Sequence, residues 1–183
     1  MLIDAAKSFL LLIDVQERLL PAMANAQDVE RRCSILLKAA KRLDVPVAVS
    51  EQYPKGLGHT VPSLREEIGN APVFEKLAFS GWRDAALKAH LISHHEAGRA
   101  QAIIAGIESH VCVLQTAIDL AQAGFAVFAV ADAMSSRSPS SVALAHDRMR
   151  QEGVQVVNSE MAVFELLGQA GTAEFRELSA LIR

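Results

Sequence analysis

The chain has little of what marks disulfide-rich, membrane-spanning or nucleic-acid-binding proteins. Two cysteines in 183 residues exclude a disulfide framework and favour a reducing compartment. Charged residues make up 21% of the chain and interrupt every apolar run well before bilayer-spanning length. The net charge of −3, with both signs mixed along the chain, offers no basic surface for nucleic acid or an anionic membrane. We therefore expect a cytoplasmic protein that binds neither nucleic acid nor membranes.

What the chain does contain is apolar sequence, at 51% hydrophobic residues, which is enough for a sizeable core. The first stretch, "MLIDAAKSFLLLID", carries an acid before its apolar run and no small-residue cleavage site. It predicts a first strand and not a signal peptide. We expect one domain over residues 1–183.

Short apolar runs alternate with helical patterns along the whole chain. The runs predict six strands, at residues 9–14, 45–51, 72–76, 101–107, 125–132 and 154–159. The patterns predict helices at residues 26–44, 82–98 and 110–123, one from the Ser138 cap and Pro139 to Gly153, and one or two closing helices. Continuous apolar strands alternating with helices predict an α/β fold, a three-layer α/β/α sandwich around a parallel sheet.

Three chemically active side chains follow three of these strands. Asp14 ends the first strand, Lys76 ends the third, and the fourth leads into Cys112. Ligands of open α/β sheets bind beyond the carboxyl ends of the strands, so these groups are expected to converge.

A thiol, a carboxylate and an ammonium support nucleophilic acyl transfer. A helix N-terminus and a nearby cation are expected to lower the pKa of the Cys112 thiol from about 8.5 toward neutrality. Asp14 can accept the thiol proton, and backbone N–H groups can form an oxyanion hole. Ordinary roles stay open: Asp14 can cap a turn, Lys76 can be a solvated loop residue, and Cys112 can be a buried apolar residue. Cys33 lies mid-helix on the apolar stripe and is expected to pack.

The segments "LLLIDVQ", "FEKLAFSGW" and "AGIESHVCV" together resemble the isochorismatase-like cysteine hydrolases, over residues 9–167. The resemblance implies a six-stranded sheet in the order 3-2-1-4-5-6. It implies Asp14 as base, Lys76 as its partner and Cys112 as nucleophile. It also implies a cis peptide between Ile107 and Glu108, with the N–H groups of Glu108 and Cys112 forming the oxyanion hole.

The segment after the second strand indicates the branch of the family. Nicotinamidases carry a metal-binding Asp-x-His pair there, whereas this chain has Glu51-Gln52-Tyr53. True isochorismatases cleave a vinyl ether without the cysteine. The loop instead resembles a metal-free subgroup of isochorismatase-domain-containing hydrolases. We expect metal-independent hydrolysis of a small amide or ester, with no cofactor. A nicotinamidase, or a binding protein of this fold that has lost turnover, are the alternatives.

Aromatic residues and histidines give weaker signals. Tyr53, Phe79 and Trp82 follow the second and third strands and are candidates for an apolar substrate-pocket wall or for core packing. His90 and His94 have i, i+4 spacing without a third ligand, so we expect no metal there.

The helix after the fifth strand points to self-association. Val142, Leu144 and Met149 are expected to be exposed there, and the resemblance implies assemblies from dimer to octamer. We therefore expect a homo-oligomer.

Overall fold

The computed structural model describes residues 1–182, and within them a parallel sheet lies between two layers of helices. The strands are β1 (Ser8–Ile13), β2 (Val47–Gln52), β3 (Val73–Lys76), β4 (Gln101–Ile107), β5 (Ala126–Ser135) and β6 (Gln155–Val157). The α-helices are α1 (Ala26–Arg42), α2 (Pro54–Leu57), α3 (Pro62–Ile68), α4 (Ala85–Glu96), α5 (Leu114–Gln122), α6 (Pro139–Gln151), α7 (Ser159–Leu167) and α8 (Ala173–Ile182).

The strand order is β3-β2-β1-β4-β5-β6, and all strand pairs are parallel. The fold class and the strand order are therefore confirmed. Because β1 lies between β2 and β4, the order reverses beside β1. The carboxyl ends of β1, β2, β3 and β4 consequently meet at one edge of the sheet.

The two faces of β1 show how the strands divide the core. Leu10 and Leu12 pack into the cluster beneath α1, while Leu11 and Ile13 belong to the cluster on the opposite face. Side chains alternate across a strand, and since both faces are covered every position of β1 is apolar or buried. Helices α1, α3, α7 and α8 supply residues to the first cluster, and α4, α5 and α6 to the second.

Two predictions about helices needed correction. The helix expected at 82–98 is split: residues Gly81–Arg83 form a 3₁₀ turn, and α4 begins at Ala85 because the Asp84 carboxylate accepts the N–H of Leu87. Met149, on the inner face of α6, is wholly buried, in contrast to the prediction that it is exposed. Leu144 is exposed as expected, and Val142 is half-buried.

Candidate active site

Asp14 lies directly after β1 in a left-handed conformation, with φ of 53°, and its side chain is fully buried. Its backbone N–H donates to the carbonyl of Ser50 at 3.0 Å. One carboxylate oxygen accepts the Ser50 hydroxyl at 2.7 Å, and the other accepts Lys76 Nζ at 2.7 Å. Both oxygens are therefore held by donors, so the position of the carboxylate is fixed.

Lys76 ends β3 and is only 2% exposed, so the solvated-loop alternative is wrong for this residue. Besides Asp14, its ammonium donates to Gln52 Oε1 at 2.8 Å and to the carbonyl of Phe79 at 3.1 Å. A lysine ammonium has three N–H donors, and here all three have an oxygen acceptor. Lys76 is thus a fixed positive charge beside Asp14.

Gln52 is the neutral acceptor of Lys76, and Gln16 holds it in place. The Gln16 amide accepts the backbone N–H of Gln52 at 2.7 Å and donates to its carbonyl at 2.9 Å. The Gln52 amide nitrogen in turn donates to the carbonyl of Leu77 at 2.8 Å. The cation is therefore supported by a hydrogen-bonded frame that joins the ends of three strands.

Cys112 sits in a π-helical turn, Ser109–Val113, between β4 and α5. The peptide bond between Ile107 and Glu108 that precedes this turn is cis. The N–H groups of Val111 and Val113 both donate to the carbonyl of Glu108, which closes the turn. Cys112 is only 7% exposed, and its thiol is near enough to Asp14 and Lys76 for both charges to shift its pKa. The structure therefore brings the three predicted groups together.

The protonation state of the thiol differs from the expectation. Burial, reinforced by the Asp14 carboxylate, raises the pKa of the Cys112 thiol to about 12 against the opposing effect of Lys76. The prediction of a pKa near neutrality was wrong because burial of the turn, together with the negative charge of Asp14, outweighs the effect of Lys76. At neutral pH the thiol carries its proton, and a base is needed to remove it.

Gly106 allows β4 to approach β1 beside this site. Its φ is +125°, and a Cβ there would lie 2.0 Å from the carbonyl oxygen of Ile13. No other residue type can occupy this position without moving a strand. Because Asp14 directly follows Ile13, and β4 leads from Gly106 into the turn that holds Cys112, the close approach brings these two segments side by side.

The three candidate aromatic residues lie in different surroundings. Tyr53 is half-exposed and lines a cavity of about 520 Å³ together with Leu77 and Arg83. Phe79 is also exposed, and its carbonyl binds Lys76. Trp82 packs edge-on against Phe125, which favours the packing alternative for this residue.

Glu51, at the position of the nicotinamidase metal pair, is engaged by protein donors. Thr60 donates its N–H and its hydroxyl to one carboxylate oxygen, and His59 Nδ1 lies 2.8 Å from the other. Burial alone would raise the pKa of Glu51, but these hydrogen bonds outweigh it and hold the pKa below its ordinary value. Within residues 1–182, no group of three histidine, cysteine or acidic side chains is placed to hold a metal ion.

The remaining candidates lie outside the cluster. His90 and His94 face each other at 3.2 Å on α4, and His110 pairs with the Ser136 hydroxyl. Cys33 is fully buried on α1, as expected for a packing residue.

Sequence reasoning missed Ser50, Gln52 and Gln16. A signal for the first two was present: the apolar run in "VAVSEQ" gives way to three polar residues, of which those at 50 and 52 share one face.

The isochorismatase domain model matches residues 8–161, which span all six strands and the cluster around Asp14. The chain belongs to the isochorismatase family. Among relatives in this family, isochorismatase domain-containing protein 2A of Mus musculus is 38% identical over 96% of this chain and 82% of its own length. The secreted isochorismatase effector Isc1 of Phytophthora sojae is 37% identical over 96% of this chain and 84% of its own.

Solved structures of the same fold superpose closely. The MAR1 ribonuclease of Caenorhabditis elegans has a TM-score of 0.92 and 37% identity, over 100% of this chain and 92% of its own. The YcaC gene product of Escherichia coli, an octameric hydrolase of unknown specificity, has a TM-score of 0.92 and 25% identity, over 99% and 90%. YcaC from Pseudomonas aeruginosa with hexane-2,5-diol and covalent acrylamide has a TM-score of 0.88 and 25% identity, over 98% and 91%.

These comparisons confirm the family, and isochorismatase-family proteins are associated with hydrolase activity. No helix in the described part of the chain is long and apolar enough to cross a membrane. Since one relative is a secreted effector, a cytoplasmic location stays a prediction.

Proposed function

We propose that the protein is a cysteine hydrolase that cleaves a small amide or ester through a thioester on Cys112, without a metal ion or other cofactor. The observation that carries this proposal is the buried Lys76–Asp14 ion pair, 2.7 Å long, at the strand ends beside the buried turn that holds Cys112. A buried ion pair next to a protonated thiol supplies the base that the thiol needs.

The steps follow from these positions. Asp14 accepts the thiol proton, and the Cys112 sulfur attacks the substrate carbonyl carbon. The oxygen then carries a negative charge, which the N–H groups of Glu108 and Cys112 stabilise. Collapse expels the amine or alcohol, which takes the proton from Asp14 and leaves a thioester. Water, deprotonated by Asp14, cleaves the thioester, and the proton returns to the sulfur. Lys76 holds Asp14 in place and offsets the negative charge throughout.

One similar protein supports reaction with a small electrophile, and another suggests a different class of substrate. The Pseudomonas aeruginosa neighbour is described with covalent acrylamide, a small electrophilic amide. The neighbour that is named a ribonuclease suggests RNA, but a net charge of −3 does not favour binding a polyanion. An RNA substrate therefore belongs in the activity screen as a comparison.

The first test compares the two cysteines. We expect Cys112→Ala to abolish hydrolysis across a panel of small amides and esters, and Cys33→Ala to retain it, because only Cys112 lies at the ion pair. Hydrolysis is measured by product release, and acrylamide adducts are mapped by mass spectrometry of the intact and digested protein. Activity that survives Cys112→Ala would contradict the mechanism, and a fully inactive wild type that forms no adduct would favour a binding protein.

The second test addresses the metal and the nicotinamidase alternative. Glu51 is already occupied by Thr60 and His59, so we expect EDTA to leave activity and unfolding temperature unchanged and nicotinamide to be a poor substrate. Elemental analysis that found stoichiometric zinc or iron, together with rapid nicotinamide turnover, would favour the nicotinamidase.

The apolar surface beside the site supports self-association. Tyr53, Leu77 and Phe79 are all at least half-exposed near the free edge of β3, and the Escherichia coli neighbour is octameric. We propose that this chain is also a homo-oligomer with the number of subunits open between two and eight. Light scattering that gave the mass of a monomer, 19.7 kDa, would contradict this.

A further inference from the structure

We infer that Ser50 and Gln52 are positioning residues that hold Asp14 and Lys76 in place, so that the two together set the rate at which Cys112 reacts. This inference rests on the proposed role of Asp14 as the base. Ser50 binds Asp14 and Gln52 binds Lys76, so each acts through one member of the ion pair.

Ser50 is the partner of the carboxylate. Its hydroxyl is fully buried and donates to Asp14 Oδ1 at 2.7 Å, while Lys76 occupies Oδ2. A donor to a carboxylate favours the charged form, because the protonated form accepts that hydrogen bond less strongly. Ser50 therefore holds the Asp14 carboxylate in the position in which Lys76 binds its other oxygen.

Gln52 is the partner of the ammonium. Its amide oxygen accepts one Lys76 N–H, and its three other polar groups are bonded to Gln16 and Leu77. A carboxylate of the same shape at this position would compete with Asp14 for the ammonium. The neutral amide leaves the positive charge of Lys76 directed at Asp14 and Cys112.

The alternation of side chains along β2 separates Ser50 and Gln52 from Glu51, which lies between them in the sequence. Side chains alternate along β2, so Ser50 and Gln52 share one face and Glu51 lies on the other, where it binds Thr60 and His59. The titratable groups that face Asp14 are thus Lys76 from β3 and Cys112 from the π-helical turn. A pH response of the thiol can be assigned to this small set.

The chain offers a matched control in Ser8. Like Ser50, Ser8 lies on a strand, is fully buried and donates its hydroxyl to other protein groups, here the carbonyl of Asp4 and the amide oxygen of Gln101. It lies at the opposite end of β1 from Asp14. Ser8→Ala therefore removes a comparable buried hydroxyl without touching the ion pair.

The experiment measures the rate at which iodoacetamide alkylates Cys112, located by peptide mass spectrometry, across the pH range in which each variant stays folded by circular dichroism. It requires no knowledge of the substrate. The proteins compared are wild type, Ser50→Ala, Gln52→Glu, Asp14→Asn and Ser8→Ala.

In Ser50→Ala we expect a profile that departs from wild type, with alkylation several-fold slower at neutral pH, because one oxygen of the Asp14 carboxylate loses its donor. In Gln52→Glu we expect a rate roughly tenfold lower at neutral pH, because the added carboxylate competes with Asp14 for Lys76. Ser8→Ala is expected to follow the wild-type profile.

The two possible failures are distinguishable. Asp14→Asn with the wild-type profile would overturn the base and, with it, this inference. A strong loss in Asp14→Asn, with Ser50→Ala and Gln52→Glu both superposing on Ser8→Ala, would leave the base intact and overturn the positioning roles alone.

Discussion

The carboxyl end of the sheet buries a pair of titratable side chains and the amino end half-buries another, and the two pairs differ in charge. At the carboxyl end, Asp14 and Lys76 carry opposite charges and meet at 2.7 Å with no exposed side-chain surface. At the amino end, His90 and His94 approach to 3.2 Å, and His94 stacks on Phe9 at 5.0 Å between ring centroids. Two imidazoles cannot both be protonated at that distance without repulsion.

The pKa values of both histidines are lowered in the folded protein. Burial, with the nearby His90 and Arg99, lowers the pKa of His94 to about 4, and burial also lowers the pKa of His90. At the amino end, the two histidines thus favour the neutral form and are packed through aromatic contacts. The carboxyl end keeps both charges by pairing them and giving each further hydrogen bonds, and only such a pair can take part in proton transfer.

The largest effect is expected from breaking the charged pair. Lys76→Met leaves a buried carboxylate without its counter-charge, and we expect it to lower the free energy of unfolding by about 3–5 kcal/mol. Urea denaturation at neutral pH measures this. The double variant Asp14→Asn/Lys76→Met serves as the control and is expected to recover much of the loss, because the orphaned charge is gone. A single variant as stable as wild type would show that the pair is not stabilising.

A smaller, pH-dependent effect is expected at the histidines. Because the folded-state pKa of His94 lies below the ordinary value near 6.5, the unfolded chain binds more protons between pH 6.5 and about 4. Stability contributed by the neutral ring is present above pH 6.5 and is lost as the pH falls through this window. Phe at this position keeps the stacking on Phe9 but cannot titrate.

We therefore expect His94→Phe to flatten the fall in unfolding free energy between these two pH values, with a residual slope from His90. The matched control is His95→Phe, since His95 is an exposed neighbour on the same helix. Urea unfolding at both ends of the window gives the slope. Equal slopes in wild type and His94→Phe would mean that His94 is not the group responsible.

The smallest effect is expected where an ion pair is exposed. Arg150 and Asp147 meet at 3.0 Å on α6, but both side chains are more than half-exposed. Solvent and salt weaken such pairs, so Arg150→Ala should unfold at the same urea midpoint as wild type within experimental error. A loss comparable to that of Lys76→Met would contradict the view that burial makes the difference between the two pairs.

The sequence predicted the parts of this site that depend on strand ends. Alternating apolar runs and helical patterns placed Asp14, Lys76 and Cys112 at one edge, and the family resemblance supplied the strand order that brings them together. Both rest on backbone topology, which local patterns and a motif specify well.

What the sequence did not predict depends on packing between distant segments. The pKa of the Cys112 thiol follows from how deeply its turn is buried, which no spacing reveals. Met149 and Trp82 are positioned by the elements against which they pack, and an amphipathic pattern does not show which elements those are. The roles of Ser50 and Gln52 depend on the strand pairing that places β2 between β1 and β3.

The full use of the Lys76 donors has a consequence for the energy of the reaction. With three acceptors in place, the ammonium has no free N–H, so in the first step of the proposed mechanism the thiol proton moves from the sulfur to the Asp14 carboxylate. Asp14, Lys76 and Cys112 carry the same total charge before and after that transfer, because the negative charge moves from the carboxylate to the sulfur. This step therefore leaves the net charge of the buried site unchanged, and the surrounding low-dielectric protein does not oppose it. Attack on a neutral substrate should for the same reason be nearly indifferent to the ionic strength of the medium.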